Sequence, residues 1–175
     1  MAATSLRPGG LTLGELRRFA AGGLPAPYAL ADEDRARMQR TRDIVEGRIR
    51  DGLKTYGVNT GLGTLADRAI PAGDLAELQR RLVLSNAAGT GALMSEQDVR
   101  CMMLLKVSGL ATGRSGARPA LADALLALLA AEITPCVPVK GSCGASGDLA
   151  PLGHMGAALI GIGDVIWITP CLETR

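Results

Sequence analysis

The sequence predicts a mainly α fold, and three observations carry that reading. Apolar residues make up 47% of the chain but aromatic ones only 2%, with 23 glycines in 175 residues. Strands favour aromatic and β-branched side chains, whereas the abundant alanine and leucine cost little side-chain entropy in a helix. Apolar positions also recur at three- and four-residue steps over several long stretches, which is helical spacing. Finally, two glycine-rich strings interrupt those stretches and read as loops.

In chain order, Thr12-Leu-Gly-Glu15 has the spacing of a capping box, and Leu13, Leu16 and Phe19 share one face of the short helix it opens. Gly22-Gly-Leu-Pro-Ala-Pro27 breaks that helix. A charged helix runs from about Asp32 to Asp51, with Met38, Val45 and Ile49 on its apolar side. The first glycine string, Tyr56-Gly-Val-Asn-Thr-Gly-Leu-Gly63, follows. Helical spacing returns at Leu75, Leu78 and Leu82 and halts around Gly89 and Gly91. Ser95 to Asp98 fits another cap, ahead of a stripe formed by Val99, Met102, Met103, Val107 and Leu110. Pro119 suits a first helical turn, where its missing N–H costs nothing. Leu121, Leu125, Leu128 and Leu129 are the expected buried face of that helix, with Pro135 and Pro138 ending it. The second glycine string, Lys140-Gly-Ser-Cys-Gly-Ala-Ser-Gly-Asp148, leads into a helix from Leu149 that is apolar on all sides and therefore expected to be buried.

Bulk properties exclude several functions. Nineteen basic and 17 acidic residues are mixed along the chain, for a net charge of +2, so no basic face for nucleic acid is expected. Cys101, Cys136, Cys143 and Cys171 are far apart and His154 is the one histidine, so no metal site is expected. The longest uncharged stretch, Leu149 to Gly163, is shorter than the roughly 20 residues that span a bilayer. Free thiols and a cytoplasmic setting are the expectation, with no membrane partner. Gly144-Ala-Ser146-Gly-Asp148 lacks the final glycine of a hydrolase nucleophile elbow. Gly57 to Gly63 has no following Lys-Ser/Thr to hold a phosphate.

The string Gly141-Ser-Cys-Gly-Ala-Ser-Gly-Asp-Leu-Ala-Pro-Leu152 closely resembles the motif of the histidine and aromatic amino-acid ammonia-lyases. Tyr56 to Gly63 and Leu82-Val-Leu-Ser-Asn-Ala-Ala-Gly89 resemble two further segments of that family. The resemblance covers about residues 10 to 163 and implies the N-terminal part of a long-helix fold with two glycine-rich active-site loops. Residues 1–163 are read as the lyase region. Residues 164–175 are read as a divergent tail, as a truncated or frameshifted frame would leave.

The resemblance implies a 4-methylidene-imidazol-5-one electrophile built from Ala145, Ser146 and Gly147, with no metal or pyridoxal. In such a cyclisation the Gly147 nitrogen attacks the Ala145 carbonyl with loss of water, and Ser146 then loses its hydroxyl. The residue types suit that chemistry. Glycine allows the sharply bent backbone, and serine supplies the group eliminated. By the same resemblance Tyr56 is the base that takes the substrate's β-proton. A phenol ordinarily titrates at about pH 10, so a tyrosine base working near neutrality needs its anion stabilised by roughly 4 kcal/mol. Loop N–H groups beside Gly61 and Gly63 are candidate donors.

Asn86, Asn59 and Gly63 are the implied substrate-binding residues. Histidine-specific members carry histidine where this chain has Asn86, and asparagine can hydrogen-bond an imidazole but cannot stack or titrate like one. Histidine, giving urocanate in a catabolic reaction, remains the favoured substrate. Phenylalanine or tyrosine lyase or aminomutase chemistry, and a fragment without catalysis, are the alternatives. A complete member is implied to be a homotetramer whose site draws on later residues and on several subunits. His154 reads as a hydrogen-bonded core residue more readily than a pocket residue, and Cys143 as a passive small residue near the ring. Arg114, Arg118 and Lys140 read as surface or subunit-contact charges.

Overall fold

The computed structural model describes residues 4–22, 28–144 and 147–167. Six helices dominate: α1 (Leu13–Ala20), α2 (Asp32–Arg50), α3 (Leu75–Asn86), α4 (Glu96–Ala111), α5 (Pro119–Ala130) and α6 (Leu149–Leu159). Short strands join them in four two-stranded sheets. β1 (Thr4–Ser5) runs parallel to β2 (Tyr28–Ala29). Antiparallel pairs form between β3 (Thr90–Leu93) and β5 (Pro138–Lys140), and between β4 (Ile133–Pro135) and β8 (Val165–Trp167). The fourth pair is β6 (Cys143–Gly144) with β7 (Gly147–Asp148). The mainly α class holds.

The caps legible in the sequence form as expected. The Thr12 hydroxyl accepts the Glu15 N–H at 3.2 Å while Glu15 accepts the Thr12 N–H at 2.8 Å. Ser95 accepts the Asp98 N–H at 3.2 Å and starts α4. Helix α4 is the centre of the core: Val99, Met103, Leu104, Val107 and Ala111 are buried on it. Ser108 is buried there too, and its hydroxyl accepts the Gly9 N–H at 2.9 Å, which ties the N-terminal segment to the helix. Helices α1, α2 and α5 pack around α4. A bidentate pair between Arg35 and Asp123, both bonds 2.6 Å, joins α2 to α5, and Arg37 reaches from α2 to the Ala111 carbonyl at 3.0 Å.

Three readings need correction. On α5 the buried residues are Ala122, Leu125, Leu126 and Leu129, and Leu121 is exposed instead. That helix is apolar nearly all round, so spacing could not tell its faces apart. It also ends before either proline, where Glu132 takes a left-handed φ of 55°. Helix α6 is only half enclosed: Ala150, Gly153, Met155 and Ala157 are buried, while Ile160 and Ile162 just beyond it are exposed. The halt at Gly89 and Gly91 is followed by strand β3, and residues 165–167 of the expected tail pair with β4. The Gly22-to-Pro27 break falls, from Gly23 on, outside the described residues. No helix among the described residues is long and apolar enough to cross a membrane.

Cys101 and Cys136 are free thiols whose pKa values are pushed up, by burial first and then by the nearby Asp98 and Asp164 carboxylates respectively. A raised pKa lowers the thiolate fraction at a given pH, and the thiolate is the nucleophile. Alkylation of both should therefore be slower than for an unfolded thiol at pH 8. It should keep accelerating with pH after the unfolded thiol has levelled off. Peptide-resolved iodoacetamide labelling across pH 7 to 11 measures this, and matching folded and unfolded profiles would contradict it.

Candidate active site

The tripeptide string is held by its flanks. Lys140, at the end of β5, lies opposite Thr90 on β3. Strands β6 and β7 then pair with Gly144 facing Gly147, and α6 starts directly after β7. Ala145 and Ser146, the two residues joining those strands, lie outside the described residues. Gly147 is described, exposed, and has a φ of 108°, a conformation that side-chain-bearing residues rarely adopt. The backbone freedom that such a ring closure would need is thus present at Gly147, the residue whose nitrogen would attack. The chain fits the group on that count.

Asn86 is the last residue of α3, half-buried, and α6 packs along α3. The approach is close because position 153 carries no Cβ. One built on Gly153 would lie 2.6 Å from the Asn86 carbonyl carbon and 2.7 Å from the Ala87 nitrogen. The end of α3 at Asn86 therefore packs on the helix that directly follows the tripeptide string. Sequence reading placed His154 among hydrogen-bonded core histidines, and its Nε2 accepts the Gly89 N–H at 3.0 Å from a half-buried position. Arg114, Arg118 and Lys140 are all exposed.

Tyr56, Asn59 and Gly63 form a second group. The Tyr56 hydroxyl accepts the Gly63 N–H at 3.4 Å, and the side chain is 65% exposed. Asn59 is buried and turned into its own loop, where Oδ1 accepts the Thr55 N–H at 2.7 Å and Nδ2 donates to the Leu53 carbonyl at 3.0 Å. Gln79 of α3 donates to the Gly57 carbonyl at 3.3 Å and so ties this loop to the same helix that ends at Asn86. Among the described residues no hydrogen bond joins Tyr56, Asn59 or Gly63 to Asn86 or Gly147. A cleft of about 750 Å³ opens beside the Tyr56 loop, between α2, α3 and the start of α5, with Arg42, Gly57, Gln79, Val83 and Arg118 on its walls. Two anchors escaped sequence reading. The Asn59 cap left no spacing signal, and the Gly89–His154 bond spans 65 positions.

The aromatic amino acid lyase family profile matches residues 11–174, and the chain belongs to that family. Histidine ammonia-lyase of Desulfotalea psychrophila is 48% identical over 159 residues, 91% of this chain and 31% of the relative. The histidine ammonia-lyase of Idiomarina loihiensis is 49% identical over 160 residues, again 91% and 31%. Among solved structures, tyrosine aminomutase from Streptomyces globisporus superposes with a TM-score of 0.85 at 35% identity, covering 94% of this chain and 30% of its own. Histidine ammonia-lyase from Trypanosoma cruzi gives a TM-score of 0.84 at 29% identity, covering 95% and 32%. The chain spans about a third of the length of the curated relatives it matches.

Asn59→Ala removes the acceptor for Thr55 and the donor to Leu53 from a buried position. Leaving such groups unpaired costs about 1–3 kcal/mol. The expected result is faster amide exchange at Thr55 and through the Tyr56 loop, with exchange in α4 unaltered. Unchanged protection at Thr55 would show that the loop is held elsewhere.

Proposed function

We propose that this segment provides the electrophile-forming loop and the proton-abstracting tyrosine of an ammonia-lyase acting on L-histidine. The observation that carries the reading is Gly147, left-handed at the foot of a strand pair whose two connecting residues are Ala145 and Ser146. The similarity to proteins named histidine ammonia-lyase supports histidine as the substrate.

When formed, the methylidene-imidazolone of Ala145, Ser146 and Gly147 supplies an electrophile that turns the substrate amine into a better leaving group. The remaining work falls to ordinary side chains. Tyr56 takes the β-proton, and the Gly63 N–H meets its hydroxyl oxygen and orients it. Asn59 contributes to binding by holding the loop that presents Tyr56 and Gly63. Asn86 reads the substrate side chain with its amide, which can donate to or accept from an imidazole nitrogen. A complete protein of this kind would be a homotetramer working in the cytoplasm.

Tyrosine or phenylalanine chemistry is the second reading. The departure at Asn86 favours it, together with the 35% identity to a tyrosine aminomutase.

Ser146→Ala keeps the backbone but has nothing to eliminate. In a protein of the relatives' length carrying this segment, it should abolish ammonia release and keep the mass of the second water, with helical circular dichroism unchanged. Near-normal turnover in that variant would end the electrophile assignment. Tyr56→Phe should cut turnover by orders of magnitude while the loss of two waters persists.

Substrate choice is tested at the other group. One good hydrogen bond is worth roughly 0.5–1.5 kcal/mol, so Asn86→His should raise kcat/KM for histidine over tyrosine by about two- to tenfold. An unchanged ratio would place substrate reading at other residues.

A further inference from the structure

Helix α3 hands over to β3 through Ala87, Ala88 and Gly89, and the backbone donors of that turn can be followed one by one. The Ala87 N–H goes to the Val83 carbonyl at 3.0 Å, and the Ala88 N–H to the Asn86 carbonyl at 2.8 Å. The Gly89 N–H leaves the backbone altogether and goes to Nε2 of His154, on α6. A half-buried donor must find a partner, and here a side chain from 65 positions away supplies it.

The place where this bond forms gives it consequence. A Cβ on Gly89 would sit 3.0 Å from His154 Nε2 and 3.3 Å from the Lys140 carbonyl. A Cβ on Gly141 would sit 2.4 Å from the Ala150 Cβ and 3.8 Å from the Gly89 Cα. Gly141 therefore lies between Gly89 and Ala150 at the neck of the tripeptide string. One chain enters it from β5, one leaves into α6, and the third has just left Asn86. Side chains on these glycines would force the three apart, and dispersion alone gives so small a contact little hold. Beside the β3–β5 pairing of Thr90 with Lys140, the bond that reaches across to α6 is the one from Gly89 to His154.

We propose that His154 is a positioning residue, which pins the Asn86–Gly89 turn to the neck of the tripeptide loop by accepting the Gly89 N–H. It acts through Asn86, and its importance for substrate choice rests on the reading of Asn86 given above. Since Nε2 accepts an N–H, the imidazole carries its own proton on Nδ1, and that tautomer is a signature that space-filling would not require.

The experiment uses the 175-residue chain and needs no lyase activity. In the ¹⁵N-labelled protein, His154 should show an unprotonated Nε2 and a protonated Nδ1, and the Gly89 amide should exchange slowly. His154→Phe keeps a ring of similar size but has no acceptor, and should speed Gly89 exchange at least tenfold, shift the Asn86 amide signals and leave Met103 and Leu104 protected. His154→Gln offers an acceptor again and should restore most of the protection. A protonated Nε2, or a Gly89 amide equally protected in the phenylalanine variant, overturns the proposal. Should that variant lose protection throughout the chain, the wild-type tautomer and the glutamine rescue decide by themselves. Failure of the functional reading shows elsewhere, as unchanged substrate ratios in Asn86→His with the Gly89–His154 bond intact.

Discussion

The backbone-to-backbone contact of α6 with the end of α3 is the constraint on which the site depends. It requires a missing Cβ at Gly153, since any side chain there meets the Asn86 carbonyl carbon and the Ala87 nitrogen. With that approach granted, the segment leaving the tripeptide string is fixed against α3. The segment approaching it is fixed against β3, which begins four residues after α3 ends. Both flanks of the string are thus referenced to one short stretch of chain. A backbone held in an unfavourable conformation persists only when its surroundings over-determine it. Double anchoring of this kind is what the proposed cyclisation would need, and Gly147 with its φ of 108° stands at the anchored end.

Stability and site geometry are divided between different parts of the molecule. Helix α4 and the faces of α1, α2 and α5 that meet it contain most of the fully buried side chains, and none of the candidate site residues belongs to them. Helix α3, by contrast, buries none of its residues fully. The bidentate Arg35–Asp123 pair is about 40% exposed on each side, so its worth lies more in fixing how α2 meets α5 than in energy. The site is therefore carried on a thinly packed helix beside a dense core. Its precision must come from directional contacts, such as those of Gln79, Asn59 and His154, rather than from burial.

Sequence reading succeeded where the determinants are local. The capping residues Thr12 and Ser95, the first-turn Pro119 and the charged helix α2 were legible because each depends on neighbours within a turn or two. It failed where the decisive partner is remote or the pattern degenerate. The faces of α5 could not be told apart because almost every position is alanine or leucine. Strands of two or three residues, such as β4 and β8, carry no alternation to detect. Glu132 ends α5 with a left-handed backbone that its residue type gives no reason to expect. At the candidate site, motif strings singled out Tyr56, Asn86 and Gly147 as candidates, yet nothing in them told that the amide of Asn59 turns inward.

The two groups of candidate residues differ in what surrounds them, and that difference bears on chemistry. Taking a proton from a weakly acidic carbon is favoured where water is kept from the base, because fixed donors then act at low dielectric. Tyr56 is 65% exposed and meets one N–H at 3.4 Å, long for a hydrogen bond. In that setting water competes with Gly63 for the phenol oxygen. The Asn86 junction is already half-buried and braced on two sides. Of the two, the junction is the pre-organised half of the proposed site. The turn that follows Asn86 is held to the neck of the string by the contacts of Gly141 and Gly153 and by the bond to His154, all described within this chain.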